Sequence, residues 1–176
     1  MLTMLIGGSG CGKSVFGEAL AAKMAPPRYY IATMRPYGEE SLARIQRHRA
    51  QRSPLGFETF DRYKDVGSLV LPQPGTVLLE CLCNLTANEM FDKDGAEASV
   101  EESVETVLSG VEALYGQATH LIVITNDVGS DGAQYGESTM RYMRALGKIN
   151  ALLAKKADHV AELVCGIPLW LKGEVI

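Results

Sequence analysis

No apolar run in this sequence approaches the ~20 residues a helix needs to cross a bilayer, so no membrane-spanning helix is expected. Positive charge is also short, with 17 Lys and Arg against 21 Asp and Glu and a net charge of −4. That balance excludes a chain-wide cationic surface for nucleic acid, and any anion site must be local. Cysteine is sparse. Cys11, Cys81, Cys83 and Cys165 are scattered, three of them in or beside apolar runs. This pattern suits reduced, mostly buried thiols and not a disulfide frame. Cys81-x-Cys83 has no second pair and no histidine nearby, so zinc is not expected. The opening MLTMLIGGSG lacks a basic leader and reaches Gly7 after six residues, too short for a secretory signal. A cytoplasmic protein is the expectation. With no internal repeat and no low-complexity tract, the 176 residues read as one domain, 1–176, large enough to bury a core.

Short apolar runs alternate with helical patterns, the signature of an α/β fold with a mostly parallel sheet flanked by helices. Candidate strands are LTMLIG (2–7), RYYIAT (28–33), TVLLEC (76–81), HLIVIT (120–125) and HVAELVCG (159–166), with FETF (57–60) as a shorter sixth. Helices are predicted near 13–24, 39–52, 99–115 and 138–156. The last two carry apolar residues at helical spacing: Val100, Val104, Val107, Val111 and Leu114, then Tyr142, Leu146, Ile149 and Leu153. FDKDGAEAS (91–99) and NDVGSDGAQYGES (126–138) are polar, glycine-bearing loops, the second long enough to act as a lid.

The first strand runs into Gly7-Gly8-Ser9-Gly10-Cys11-Gly12-Lys13-Ser14, the Gly-x-x-x-x-Gly-Lys-Ser pattern of a phosphate-binding P-loop, and a helical run follows it. The glycines let successive backbone N–H groups turn inward onto phosphate oxygens, and the helix adds its positive end. Lys13 supplies charge to the β- and γ-phosphates, and Ser14 offers a hydroxyl to Mg²⁺. Strand before and helix after place the fold in the P-loop NTPase-like class. Such a loop needs an acidic partner at the end of another strand. TVLLEC ends at Glu80 and HLIVITND at Asn126 and Asp127, both at the edge where α/β sheets bind ligands. Glu80 is preferred, because the apolar residues after it disfavour a purely solvated role.

One histidine stands among four arginines in RIQRHRAQR (44–52). Arg44, His48 and Arg52 recur every four residues and share one face of the predicted helix, with Leu42 and Ile45 turned inward. Two guanidiniums disfavour the imidazolium, leaving a neutral ring with a free lone pair, while the same cations can grip phosphate oxygens. The residues alone allow two readings: a nucleophile aimed at phosphorus, or a solvated basic helix with an incidental histidine. His120 and His159 each begin an apolar run and read as structural.

The segments GGSGCGKS, YIAT, RIQRHRAQR, FETFD, VLLECLCNLTANEMF, VITNDVG and GKINALLAKKADHVAELVCGIPLWLKG follow one another in an order and spacing that covers nearly the whole chain. Together they resemble the bifunctional adenosylcobinamide kinase/adenosylcobinamide-phosphate guanylyltransferase family of cobalamin assembly. The arginine-bracketed histidine after YIAT is the most specific part of the match. The resemblance implies that His48 attacks the α-phosphate of GTP, becomes guanylylated and passes GMP to adenosylcobinamide phosphate, giving adenosylcobinamide-GDP. It implies a preceding kinase step on adenosylcobinamide from ATP or GTP with Mg²⁺, using Lys13 as a catalytic cation. By the same comparison Gly7 to Ser14, Ala32, Thr33, Met34, Arg49, Ala50, Gln51, Arg52, Asp61 and Glu80 line the nucleotide site, with Ser14 and Glu80 on the metal. The implied partners are the corrinoid substrates and further copies of the chain, as a compact homo-oligomer such as a trimer.

Some positions depart from the family. Gly10-Cys11 replace a usual Arg-Ser pair, Phe57 and Asp61 stand for Trp and Glu, and SDGAQYG replaces a glycine-rich stretch after TNDVG. The alternatives are a small-molecule P-loop kinase without the guanylyl step, and a nucleotide-sensing module without catalysis. Covalent labelling by GTP separates the first from the bifunctional enzyme, and corrinoid-dependent product separates the second.

Overall fold

A computed structural model describes residues 1–37, 39, 45, 46, 49, 50, 52–91, 95–129 and 132–174. Among these residues seven strands form one sheet: β1 (Leu2–Ile6), β2 (Arg28–Ala32), β3 (Phe57–Asp61), β4 (Thr76–Glu80), β5 (His120–Ile124), β6 (His159–Val164) and β7 (Ile167–Lys172). Their order is β3-β2-β4-β5-β1-β6-β7, parallel throughout except for β7, which runs antiparallel to β6. The central strands are almost continuously apolar because both faces are covered. Alternate residues serve opposite layers. Leu2, Met4, Val77, Leu79, Leu121 and Val123 pack under helices α3 (Val100–Gln117) and α4 (Glu137–Lys156) through Val107, Val111, Ile149 and Leu153. Leu5, Leu78, Ile122 and Ile124 pack under α1 (Lys13–Lys23) through Leu20 and Ala21.

The register sets the site. Ala32 lies level with Asp61 on one side and Glu80 on the other, and Glu80 is level with Ile124. The carboxyl ends of β2, β3, β4 and β5 therefore finish in line, beside the turn that leaves β1 for α1. Helix α3 starts where its sequence signal says it should. Ser99 Oγ accepts the Glu102 N–H at 3.1 Å, while the Ser99 N–H donates to Glu102 Oε2 at 2.9 Å, a reciprocal capping box.

All five main strand predictions, and FETF, fall on observed strands, and the helices predicted at 13–24, 99–115 and 138–156 are present with ends shifted by a residue or two. Two elements had no clear sequence signal. Helix α2 (Leu82–Met90) follows β4 after one residue, and its N-cap, Cys81, makes no side-chain cap. The apolar run of β4 thus continues into the helix without punctuation. β7 was hidden because HVAELVCG is not all strand. β6 stops at Val164, and Cys165 and Gly166, at φ 50° and 83°, make the tight turn into β7. Positive φ at both central positions is the hairpin pattern. That turn also leaves Cys165 exposed, against the expectation of mostly buried thiols; Cys83 is buried, Cys11 and Cys81 are half-buried, and all four are free.

The predicted helix at 39–52 lies partly outside the described residues, and with it Leu42, Arg44, His48 and Gln51. Ile45, Gln46, Arg49, Ala50 and Arg52 are helical. Ile45, expected to turn inward, is half-buried and lines the wall of a cavity. Among the described residues of the 126–138 loop, none before Glu137 is in a helix or strand. No described helix is long and apolar enough to cross a membrane.

Candidate active site

A cavity of about 440 Å³ opens at the carboxyl edge of the sheet, between the β1–α1 turn, the ends of β2 to β5, and the segment carrying Ile45, Arg49 and Arg52. The turn is sterically demanding. Gly7 has φ 152°, and a Cβ there would lie 2.6 Å from the Leu163 carbonyl oxygen and 2.9 Å from Cys11 Sγ. Gly12 has φ 98°, with Gly166 Cα 3.2 Å from where its Cβ would be, and the Gly166 N–H donates to the Cys11 carbonyl at 2.8 Å. The β6–β7 hairpin thus braces the loop from outside. Helix α1 begins without a side-chain cap and without an acid in its first turn. Its leading N–H groups and dipole are free to meet an anion.

Lys13 is buried, 6% exposed, and its ammonium donates to the carbonyls of Gly7 at 2.9 Å and Gly8 at 2.6 Å. The cation is thereby held in the middle of the turn. Ser14 Oγ donates to Glu80 Oε1 at 2.5 Å, and the Tyr30 hydroxyl donates to Glu80 Oε2. Arg52 lies with its guanidinium carbon 3.4 Å from the centre of the Tyr30 ring, and its Nη1 is 3.8 Å from Glu18 Oε1. Both members of that ion pair are buried, and Glu18 Oε1 and Arg52 Nε have no hydrogen-bond partner among the described residues. Burial first, then the Glu80 carboxylate, pushes the Glu18 carboxyl up to about 7, opposed by Arg52. At the rim, Arg49 meets Asp61 at 2.5 Å, joining the arginine segment to the end of β3.

Of the residues expected in the nucleotide site, Ser9, Gly10, Cys11, Gly12, Lys13, Ser14, Ala32, Met34, Arg49, Arg52, Asp61 and Glu80 line this cavity. Gly7 and Gly8 sit behind it as the scaffold of the turn. Ala50 is exposed and off the wall. Thr33 is fully buried; its hydroxyl donates to the Cys81 carbonyl at 2.8 Å and accepts the Cys81 N–H at 2.7 Å. It ties β2 to the β4–α2 junction and does not face the cavity. His48 and Gln51 lie outside the described residues. Asn126, one of the strand-end candidates, is on the wall; sequence reasoning missed Tyr30 and Asn84 there, and Glu18 behind it. Two signals were available: Glu18 is four residues after Ser14, on the same helix face, and Tyr30 is two before Ala32, on the same strand face.

The Ser14 hydroxyl and Glu80 carboxylate are adjacent hard oxygen donors. Among the described residues no group of three or more His, Cys, Asp or Glu side chains could cage a metal. Two protein oxygens suit Mg²⁺, which keeps waters and takes phosphate oxygens alongside one or two carboxylates.

A glycine turn between the first strand and a helix, a buried lysine within it, and a strand-end carboxylate on its serine define a P-loop α/β protein. Solved structures share the fold: one ATPase domain superposes with a TM-score of 0.52 at 10% identity, covering 92% of this chain and 68% of that one. A prototypical ATPase from the type III secretion system of pathogenic bacteria gives 0.51 at 13% identity, covering 92% and 50%. Residues 3–171 match the family described as cobinamide kinase / cobinamide phosphate guanyltransferase, and the chain belongs to that family of transferases. Relatives of full length include the bifunctional adenosylcobalamin biosynthesis protein CobU of Salmonella typhimurium, 26% identical over 98% of this chain and 100% of its own. Another is CobP of Pseudomonas aeruginosa, 28% identical over 99% of each.

Proposed function

We propose that this protein phosphorylates adenosylcobinamide from ATP or GTP and then transfers GMP from GTP to the product, with His48 as the covalent carrier. The observation that carries this reading is that Ile45, Arg49 and Arg52 line the same cavity as Lys13 and Ser14. In the sequence, His48 immediately precedes Arg49 and stands four residues before Arg52. In the guanylyl step an imidazole nitrogen bonds to the α-phosphorus of GTP. The bond from that phosphorus to the bridging oxygen breaks, and pyrophosphate leaves with the electron pair. A phosphate oxygen of adenosylcobinamide phosphate then attacks the same phosphorus and expels the imidazole, giving adenosylcobinamide-GDP. Splitting the transfer in this way is nucleophilic catalysis.

In the kinase step the turn N–H groups and Lys13 hold the phosphates, so catalysis is chiefly positioning and charge stabilisation. Ser14 and Glu80 would hold Mg²⁺, which when bound neutralises charge on the phosphates. Arg49 and Arg52 supply cations for the phosphates presented to His48, and Asp61 fixes Arg49. We place this single-domain enzyme in the cytoplasm, which suits its four free thiols, and read it as a homo-oligomer, a trimer by family resemblance. The bare apolar surface of Val164, Ile167, Leu169 and Leu171 at the β6–β7 edge suits such self-association.

Incubation with α-labelled GTP and Mg²⁺ tests the central claim. The protein should acquire an acid-labile, base-stable label, and His48→Ala should lose it while keeping phosphoryl transfer to adenosylcobinamide. An unlabelled wild-type protein refutes the histidine route.

A further inference from the structure

Tyr30 lies in β2 between β3 and β4 and belongs to the buried layer under α1, yet one part of it reaches the cavity wall. A buried phenol needs a hydrogen-bond partner. Its partner is one oxygen of Glu80, whose other oxygen takes the Ser14 hydroxyl. Two hydroxyls from different elements therefore fix the direction of a carboxylate that closes a strand. The Phe57 ring, 6.1 Å away and nearly perpendicular, leaves the Tyr30 ring little freedom to turn.

The same ring is the seat of Arg52. A planar guanidinium stacks on an aromatic face as a lysine ammonium cannot. Behind it Glu18 supplies the counter-charge from α1, the helix that also carries Ser14. A chain of side chains thus runs Ser14, Glu80, Tyr30, Arg52, Glu18 and returns to α1. It couples the metal side of the cavity to the arginine side through one residue.

We infer that Tyr30 is a positioning residue for both transfers, its hydroxyl aiming Glu80 on the metal side and its ring, backed by Glu18, seating Arg52 on the guanylyl side. The Arg52 half rests on the His48 reading above; the Glu80 half stands without it.

Tyr30→Phe keeps the ring and removes the hydroxyl, whereas Glu18→Gln removes the counter-charge alone. Two readouts separate them: the strengthening by Mg²⁺ of equilibrium binding of a fluorescent GTP analogue, and the initial rate of protein labelling by α-labelled GTP. Tyr30→Phe should cut the Mg²⁺ strengthening at least fivefold. Glu18→Gln should slow labelling at least tenfold, with a much smaller change in the Mg²⁺ readout. Tyr30→Leu, without hydroxyl or ring face, should show both losses. Parallel losses in both readouts for Tyr30→Phe or for Glu18→Gln, tracking a fall in melting temperature, would make Tyr30 an ordinary core residue and overturn the inference, as would unchanged behaviour of these two variants. A wild-type protein that takes no label refutes the histidine route and the Arg52 half with it, while the Mg²⁺ readout still judges the Glu80 half.

Discussion

Titrating the stability of Glu18→Gln against wild type probes the buried ion pair directly. The Glu18 carboxyl rises from an ordinary 4.5 to about 7, because burial and the Glu80 charge outweigh the pull of Arg52. A carboxyl raised in the native state holds a proton there that the unfolded chain has already released. Its contribution is therefore complete below about pH 4.5 and is lost as pH climbs through about 7. At 1.36 kcal/mol per pH unit the loss amounts to about 3 kcal/mol. Glutamine matches the shape of the protonated acid and cannot ionise. Urea unfolding of both proteins at pH 5, 6, 7 and 8 should give curves that nearly coincide at the acid end. By pH 8 the variant should be more stable by about 3 kcal/mol. Titrating groups not coupled to Glu18 cancel in the difference. A flat difference, or wild type gaining on the variant as pH rises, would refute the reasoning, the second outcome meaning that Arg52 outweighs burial. The expected sign matters for function: a charge that costs the fold stability at neutral pH is retained for what it does to Arg52.

Gly7→Ala should cost about 3 kcal/mol by urea denaturation, since its Cβ would meet the Leu163 carbonyl oxygen at 2.6 Å in a backbone conformation that side chains disfavour. Ser99→Ala should cost about 1 kcal/mol by the same measurement, without changing nucleotide affinity, because it opens the capping box of α3 far from the cavity.

The sequence displays most of the sheet because its central strands are buried on both faces and so read as unbroken apolar runs. The same rule hides α2, whose Leu82 and Leu85 extend the run of β4 with no capping side chain between them. It hides β7 as well, a half-exposed edge strand with Pro168 near its start. On the site, the P-loop was legible because its chemistry is contiguous, and Glu80 because it ends a strand. Local spacing could place Tyr30 and Glu18 on the right faces but could not name their partners. Their meaning depends on β2 lying beside β4 in the sheet, a neighbour relation between strands far apart in the chain that no local pattern expresses. Thr33 fails in the opposite sense: it stands in a motif that reaches the cavity, but strand alternation turns its side chain to the backbone of Cys81.

The Cys165–Gly166 turn touches the phosphate loop at Cys11 and Gly12, so the first glycine-rich turn of the chain and a hairpin near its other end form one mechanical unit. Lengthening that distant turn, or placing a β-branched residue at the φ of 83° that Gly166 adopts, would loosen the grip on triphosphate without touching any residue that contacts it. Kinetic lesions that map to the far end of the sequence would then mimic damage to the loop itself.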